Sequence, residues 1–264
     1  MYGSEKKYTE KNVFKKIAYT LLGEVHVPGR LRAYHIMKKI RELGLDKKAG
    51  ISMLDAGCGR GDLVTNFARK YREWKLTGIE LDKERLDIAR LVKEKMGLLN
   101  ADLMPGDLTL IESINEFDII VSSDVLEHIE NDKEVLKRLY KALKPGGTLL
   151  LTFPSIPQRK HLKLVEWREK RTGFKNTDYG HVRDGYSIAG VSEILESIGF
   201  NSITCQYTFG YWGTLCFDLF FVIGDNKPNP FVFLAAFPFL MWMAMMDLYF
   251  PSEMGSALLV TARK

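Results

Sequence analysis

At 264 residues, with 46% hydrophobic and 27% charged side chains, the chain has an ordinary globular composition and is long enough for one large α/β core with an elaboration. Three cysteines, Cys58, Cys205 and Cys216, show no metal-binding spacing, which speaks against structural zinc and for a reducing compartment, and the polar, lysine-rich N-terminus lacks the apolar segment of a secretory leader. The formal charge of +5 is uneven: residues 1 to 50 carry twelve Lys/Arg against five Asp/Glu and residues 155 to 185 carry eight against four, so basic character lies outside the central fold, as solvated helix faces or as attraction to an anionic partner.

Residues 1–49 read as an N-terminal helical cap. Glu10 to Leu22 sets Val13, Phe14, Ile17, Tyr19 and Leu21 among lysines, an amphipathic pattern that covers a pocket or simply packs. Val27-Pro28-Gly29 breaks it, and Arg30 to Leu43 follows as a second helix with Leu31, Tyr34, Ile36, Met37 and Ile40 inward, stopped by Gly44. Arg30, Arg32 and His35 are expected on its solvated face, because charged side chains are rarely buried.

Ile51 to Leu54 is a short apolar run, followed by Asp55-Ala56-Gly57-Cys58-Gly59-Arg60-Gly61-Asp62. An apolar strand, an acid and three alternate glycines describe a strand turning sharply into a helix, with glycine wherever backbone and ligand must approach closely. A dinucleotide fingerprint needs a third glycine where Asp62 stands. The remaining D-x-G-x-G-x-G resembles motif I of the class I S-adenosylmethionine (SAM) methyltransferases, which implies a Rossmann-like, doubly wound, seven-stranded sheet with an antiparallel last strand. It also makes Asp55, Ala56, Gly57, Cys58, Gly59 and Gly61 the cofactor loop.

Leu63 to Tyr71 continues as a helix and Leu76 to Leu81 as the second strand. Glu80 stands where a nucleotide fold places an acid for ribose hydroxyls, and a carboxylate suits a cis-diol because it accepts two hydrogen bonds in one plane. Asp82 is the better candidate to cap the following helix, and Leu81 is expected against the adenine. Pro105-Gly106-Asp107-Leu108 resembles the family's third conserved turn, in which Asp107 accepts from the adenine amino group and Leu108 closes over the ring; by its own chemistry it is also a plain turn.

Phe117 to Val121 is apolar on both faces, as a central parallel strand should be. It runs into Ser122-Ser123-Asp124-Val125-Leu126-Glu127-His128, with Ser122 and Ser123 counted among the cofactor contacts. This resembles the D/E-V-L-E-H segment of the small-molecule and lipid branches of the superfamily, and the N/D-P-P-Y/F tetrapeptide of nucleobase and glutamine amino-methylating enzymes is absent. Glu134 to Leu143 is a helix, and Leu143 to Gly147 turns it into a fifth strand, Thr148 to Phe153. Residues 154–185 form a charged, aromatic insertion on the substrate side, whose Gly180-His181-Val182-Arg183 resembles a G-H-x-R element over the acceptor pocket. Ser187 to Ile198 is a helix, Phe200 to Tyr207 a sixth strand and Ser256 to Thr261 the last. The SAM-binding core is thus expected over 50–207 plus 256–264.

Between the last two strands, residues 208–255 form a hydrophobic hairpin insertion. Its second arm, residues 231–250, has one charge, Asp247, and at ~1.5 Å per residue is ~30 Å long if helical, enough to cross hydrocarbon. A helix apolar all round lies in protein or in lipid. The segment 209–250 therefore implies a membrane surface or a homo-oligomer interface.

The expected reaction is methyl transfer from SAM to an apolar or lipid-like acceptor (lipid, quinone or polyprenyl-linked) at a membrane surface, in a cytoplasmic protein peripheral or monotopic at the inner face. His128 and His181 are the candidate bases. Asp124, Glu127 and His128 also resemble, with Asp for Glu, the E-x-x-E-H cluster by which some quinone and small-RNA O-methyltransferases hold a divalent metal, with His181 as a fourth ligand; this is the less favoured alternative. Other readings are a soluble O-methyltransferase of a polar small molecule or an RNA 2′-hydroxyl with the hairpin as a dimer interface, or a non-catalytic SAM-binding assembly protein. No DNA partner is expected.

Overall fold

The computed structural model describes residues 5–23, 25–157, 163, 180–224 and 230–264. Seven strands form one sheet in the order β3-β2-β1-β4-β5-β7-β6, with β1 Ser52–Ala56, β2 Lys75–Glu80, β3 Ala101–Pro105, β4 Phe117–Ser123, β5 Leu143–Pro154, β6 Asn201–Thr208 and β7 Ala257–Arg263. β7 is antiparallel to both neighbours, β5 and β6, while β1 to β5 pair in parallel. Nearly every residue of β1, β4 and β7 is buried, and apolar clusters pack on both faces of the sheet. The chain winds outward in one direction from β1 and in the other from β4, which pair at Leu54 and Ile120. Their carboxyl ends thus form the switch point at which an open α/β sheet binds ligands.

The helices are α1 Glu5–Thr9, α2 Val13–Leu22, α3 Val27–Glu42, α4 Asp62–Lys70, α5 Lys83–Lys95, α6 Asp132–Ala142, α7 Ile188–Ile198, α8 Tyr211–Gly224 and α9 Pro230–Tyr249. Two expectations are corrected. The helix expected over Glu10 to Leu22 begins at Val13, and the separate short helix α1 precedes it. Val27-Pro28-Gly29 opens α3 instead of breaking the chain, because proline in a first helical turn lacks only an N–H that has no intrahelical partner there.

The hairpin is helical, as expected, and emerges at the carboxyl edge of β6. α9 contains the 18-residue stretch Val232–Tyr249, with mean hydropathy 1.6, the one described helix long and apolar enough to cross a membrane. It is two-sided. Phe237, Leu240, Met243, Ala244 and Leu248 are buried with Val27 and Leu31 of α3, whereas Val232, Leu234, Phe239 and Trp242 are about half exposed. Asp247, the only charge of the arm, is 5% exposed. Its Oδ2 lies 2.9 Å from His35 Nε2 and accepts from Phe209 N, and its Oδ1 accepts from Gly213 N. One carboxylate thus ties α9 to α3 and to the start of the hairpin, and Lys38 Nζ of α3 adds a bond to Leu248 O. The hairpin tip at 225–229 and most of the insertion, including Arg159, Lys160 and Arg168, lie outside the described residues.

Candidate active site

The loop after β1 is stitched to β2: the N–H groups of Gly57 and Cys58 both donate to Ile79 O, at 2.9 and 3.0 Å. At Gly57, φ is +83° and any Cβ would collide with Val125; at Gly59, φ is +55° and a Cβ would stand in open space. The first glycine is demanded by packing, and the second leaves a cradle for a ligand. Ala56 and Cys58 are buried, and Asp55 is 3% exposed. Burial first, then Glu80 and Asp62, push the Asp55 carboxyl up to about 7, against a hydrogen bond from Val64 N–H. Its Oδ2 is buried with no partner among the described residues.

Glu80 is clamped at the end of β2. Oε2 accepts from Gly59 N at 2.7 Å and Oε1 from Asp82 N at 2.9 Å. A carboxylate has about four acceptor positions, so capacity for a diol remains after these two bonds. Asp82 caps α5 by accepting from Arg85 N at 3.1 Å. Asp107 holds its own turn, accepting at Oδ1 from Thr109 N and Thr109 Oγ1. Leu108 is buried beside it, and Leu81 stands exposed at the rim.

These groups line a cavity of about 1350 Å³. That exceeds the ~300–1,000 Å³ of one small-molecule pocket and leaves room for a cofactor and an acceptor together. Asp55, Gly57, Gly59, Glu80, Leu81, Asp107 and Leu108 line the same space as Ser123, Asp124 and His128. Ser122 does not: it is buried in β4 and donates to Ala56 O, so it joins two strands. Ser123 Oγ lies 2.8 Å from Thr152 Oγ1. The orphaned Asp55 oxygen, the open cradle at Gly59 and the clamped Glu80 fit SAM. Glu80→Ala is expected to weaken SAM binding by about 1–3 kcal/mol, the range for hydrogen bonds to a charged group, with the fold intact; an unchanged affinity in titration calorimetry would refute the ribose assignment.

The acceptor end is built where β4 stops. Asp124 adopts φ +53°, rare for a residue with a side chain and a mark of local strain. Its Oδ2 lies 2.6 Å from Arg32 Nε, and its Oδ1 is buried without a partner among the described residues. Burial raises the Asp124 carboxyl against the pull of Arg32, His128 and His181. Glu127, 1% exposed, is pushed up to about 8 by burial and then by Asp124.

His128 and His181 meet edge to face, with ring centroids 4.6 Å apart. His128 Nδ1 lies 3.1 Å from Gly180 O. A carbonyl only accepts, so Nδ1 carries the proton and the Nε2 lone pair of the neutral ring is left available. Burial, then His128, lowers the His181 pKa. One ligand atom each from Glu127, His128 and His181 falls within 4.8 Å of the others, while Asp124 is turned to Arg32. Arg183 holds this corner together by donating to Leu126 O, Glu130 O and Tyr186 Oη and pairing with Asp132.

The expectation that Arg30, Arg32 and His35 are solvated is overturned. Arg30 is 6% and His35 3% exposed, and Arg32 stacks on Phe209, 5.4 Å from its ring centroid, while pairing with Asp124. His26, which the sequence reading passed over, caps α3 by accepting from Gly29 N and lines the cavity. Burial, then Arg32, lowers its pKa to about 4.

A methyltransferase-domain model matches residues 29–204. N-methyltransferase 4 of Papaver somniferum is 35% identical over 105 residues, 39% of this chain and 30% of that protein. The ubiquinone biosynthesis O-methyltransferase of Psychrobacter cryohalolentis is 32% identical over 118 residues, 44% of each chain. The chain thus spans less than half the length of these curated relatives. The Haemonchus contortus phosphoethanolamine N-methyltransferase 2, solved with phosphomonomethylethanolamine and S-adenosylhomocysteine, superposes with TM-score 0.55 at 20% identity, over 82% of this chain and 49% of that one.

Proposed function

The chain belongs to the class I SAM-dependent methyltransferase family, and from that premise we propose that it methylates an apolar, lipid-like acceptor at a membrane surface. The observation that carries the acceptor class is the half-exposed apolar face of the hairpin, Val232, Leu234, Phe239 and Trp242, on a helix packed against the same α3 that lines the cavity. Contiguous exposed apolar surface is uncommon on a soluble monomer and marks a partner or a membrane.

SAM, when bound, supplies a methyl group activated on a sulfonium. The chain has to align the acceptor for in-line displacement and take its proton. Asp55, Gly59, Glu80, Asp107 and Leu108 serve the cofactor end. His128 Nε2 is the base, with its ring held by Gly180 O, and His181 is the second candidate, its pKa lowered by burial and then by His128. Arg32 holds Asp124 at the cavity wall. The clustering of Glu127, His128 and His181 favours one further reading: a carboxylate and two imidazoles suit a divalent transition metal, which would act on the acceptor oxygen or nitrogen.

The test changes only the exposed face. Val232, Leu234, Phe239 and Trp242 are replaced together by asparagine, leaving the buried face and Asp247 intact. SAM affinity is expected to stay within twofold, while flotation with anionic liposomes and turnover of apolar acceptors fall at least tenfold. If wild type never floats with liposomes and the variant instead converts a dimer to a monomer, the hairpin is an oligomer interface and the membrane reading fails.

A further inference from the structure

Arg30 is buried with no anion beside it among the described residues. It is 6% exposed, its Nε has no hydrogen-bond partner among the described residues, and its guanidinium carbon lies 5.7 Å from the centroid of the Phe237 ring of α9. A guanidinium does not give up its proton in a protein, so it remains a cation there. Burial of a charge is costly unless it is paired and hydrogen-bonded. A ring face compensates part of that cost but accepts no N–H in the fork geometry that guanidinium offers to oxyanions. The neighbouring cation on α3 differs in having a counter-ion: Arg32 Nε, also without a well-formed hydrogen bond, has both an aromatic face and the Asp124 carboxylate. Among the described residues Arg30 has the aromatic face and no carboxylate.

Its place on α3 says where the missing anion belongs. His26, Gly29, Ala33 and Ile36 line the cofactor cavity, and Val27, Leu31 and Tyr34 pack into the hairpin cluster. At ~100° per residue, position 30 falls between these two faces, at the seam where the cavity wall meets the hairpin. Arg30 and Phe237 do not line the cavity themselves, so a molecule with its anionic group on Arg30 would lie at this seam, with the Phe237 ring on one side and the cavity-lining residues of α3 next to it.

We infer that Arg30 is the anchor for an oxyanion, phosphate or carboxylate, of an amphiphilic acceptor whose apolar body lies along the hairpin. The inference rests on the apolar-acceptor reading for the body of the ligand and on Arg30 alone for its head.

The full chain, loaded with S-adenosylhomocysteine, is titrated by calorimetry with decyl phosphate, decyl maltoside and inorganic phosphate, each below micelle-forming concentration. Wild type is compared with Arg30→Met, which keeps the stem, and Arg30→Lys, which keeps the charge without the fork. Decyl phosphate is expected to bind wild type at least tenfold more tightly than Arg30→Met, with Arg30→Lys between, while decyl maltoside binds all three alike and inorganic phosphate binds far more weakly. Equal decyl phosphate affinity in wild type and both variants overturns the anchor, even if both amphiphiles bind well and the apolar reading stands. Inorganic phosphate binding as tightly as decyl phosphate, with both lost in Arg30→Met, keeps the anchor and removes the apolar body. Equal S-adenosylhomocysteine affinity in the three proteins confirms that the variants are folded.

Discussion

Replacing Asp247 by leucine is expected to cost about 3–5 kcal/mol of stability, since each buried donor left without its acceptor costs about 1–3 kcal/mol. The side chain does three things at once: it faces His35 Nε2 across 2.9 Å, and it accepts the backbone N–H groups of Phe209 and Gly213 at 3.1 and 2.9 Å. Leucine leaves two buried N–H donors and an imidazole without acceptors, each loss counting separately. Leucine is also branched and bulky where Gly213 was needed for close approach; a Cβ on that glycine would already meet the Asp247 carboxylate at 2.7 Å. Urea unfolding of Asp247→Leu, His35→Leu and the double variant measures the coupling. The double variant should lose less than the sum of the singles, because removing both partners leaves no orphaned imidazole. Additive losses would mean that His35 and Asp247 are uncoupled neighbours, and that Asp247 acts through the N–H groups of Phe209 and Gly213.

That pair also shows which parts of the molecule were legible in the sequence. The sheet, the glycine loop and Asp82 as a cap follow from signals within a few residues of one another: an apolar run, alternate glycines, an acid before a helix. The hairpin was legible because its composition is anomalous over a whole helix. The environment of α3 was not. His35 and Arg30 are buried against Asp247 and Phe237, and the half-buried Arg32 pairs with Asp124, partners some ninety to two hundred residues away from a stretch whose charges alone suggest a solvated face. Charge alone predicts exposure, and here tertiary pairing overrides it. One local clue existed: an arm of twenty residues with a single aspartate needs a cation or donors for that aspartate if it is to be buried. The apolar helix is likewise uniform in sequence, whereas packing on α3 divides it into a buried and an exposed face. At the site, the sequence placed His128 and His181 in the same region, and the Gly180 carbonyl that fixes the His128 tautomer became visible only with the fold.

His128→Ala is expected to lower turnover by about 10²–10⁴, the usual contribution of a positioned acid or base, while SAM affinity changes less than twofold. The argument is geometric. His128 lines the cavity, its Nδ1 is committed to Gly180 O, and Nε2 is therefore the atom that can accept a proton from the acceptor. Glu127 is a poor substitute: its carboxyl is buried and pushed up to about 8, so near pH 7 it is mostly protonated and already holds the proton a base would have to take. Glu127→Gln, which keeps shape and a neutral hydrogen-bonding end, should then retain most of the activity. The metal reading predicts otherwise, because a glutamine removes the anionic ligand from the Glu127, His128 and His181 cluster. Steady-state assays with labelled SAM, with and without chelator, separate the two. Loss in His128→Ala with Glu127→Gln active and chelator without effect supports the base. Loss in both variants and with chelator, restored by added divalent metal, assigns the cluster to a metal. Full turnover in His128→Ala under chelator would remove both roles and move the search for the proton acceptor to His181.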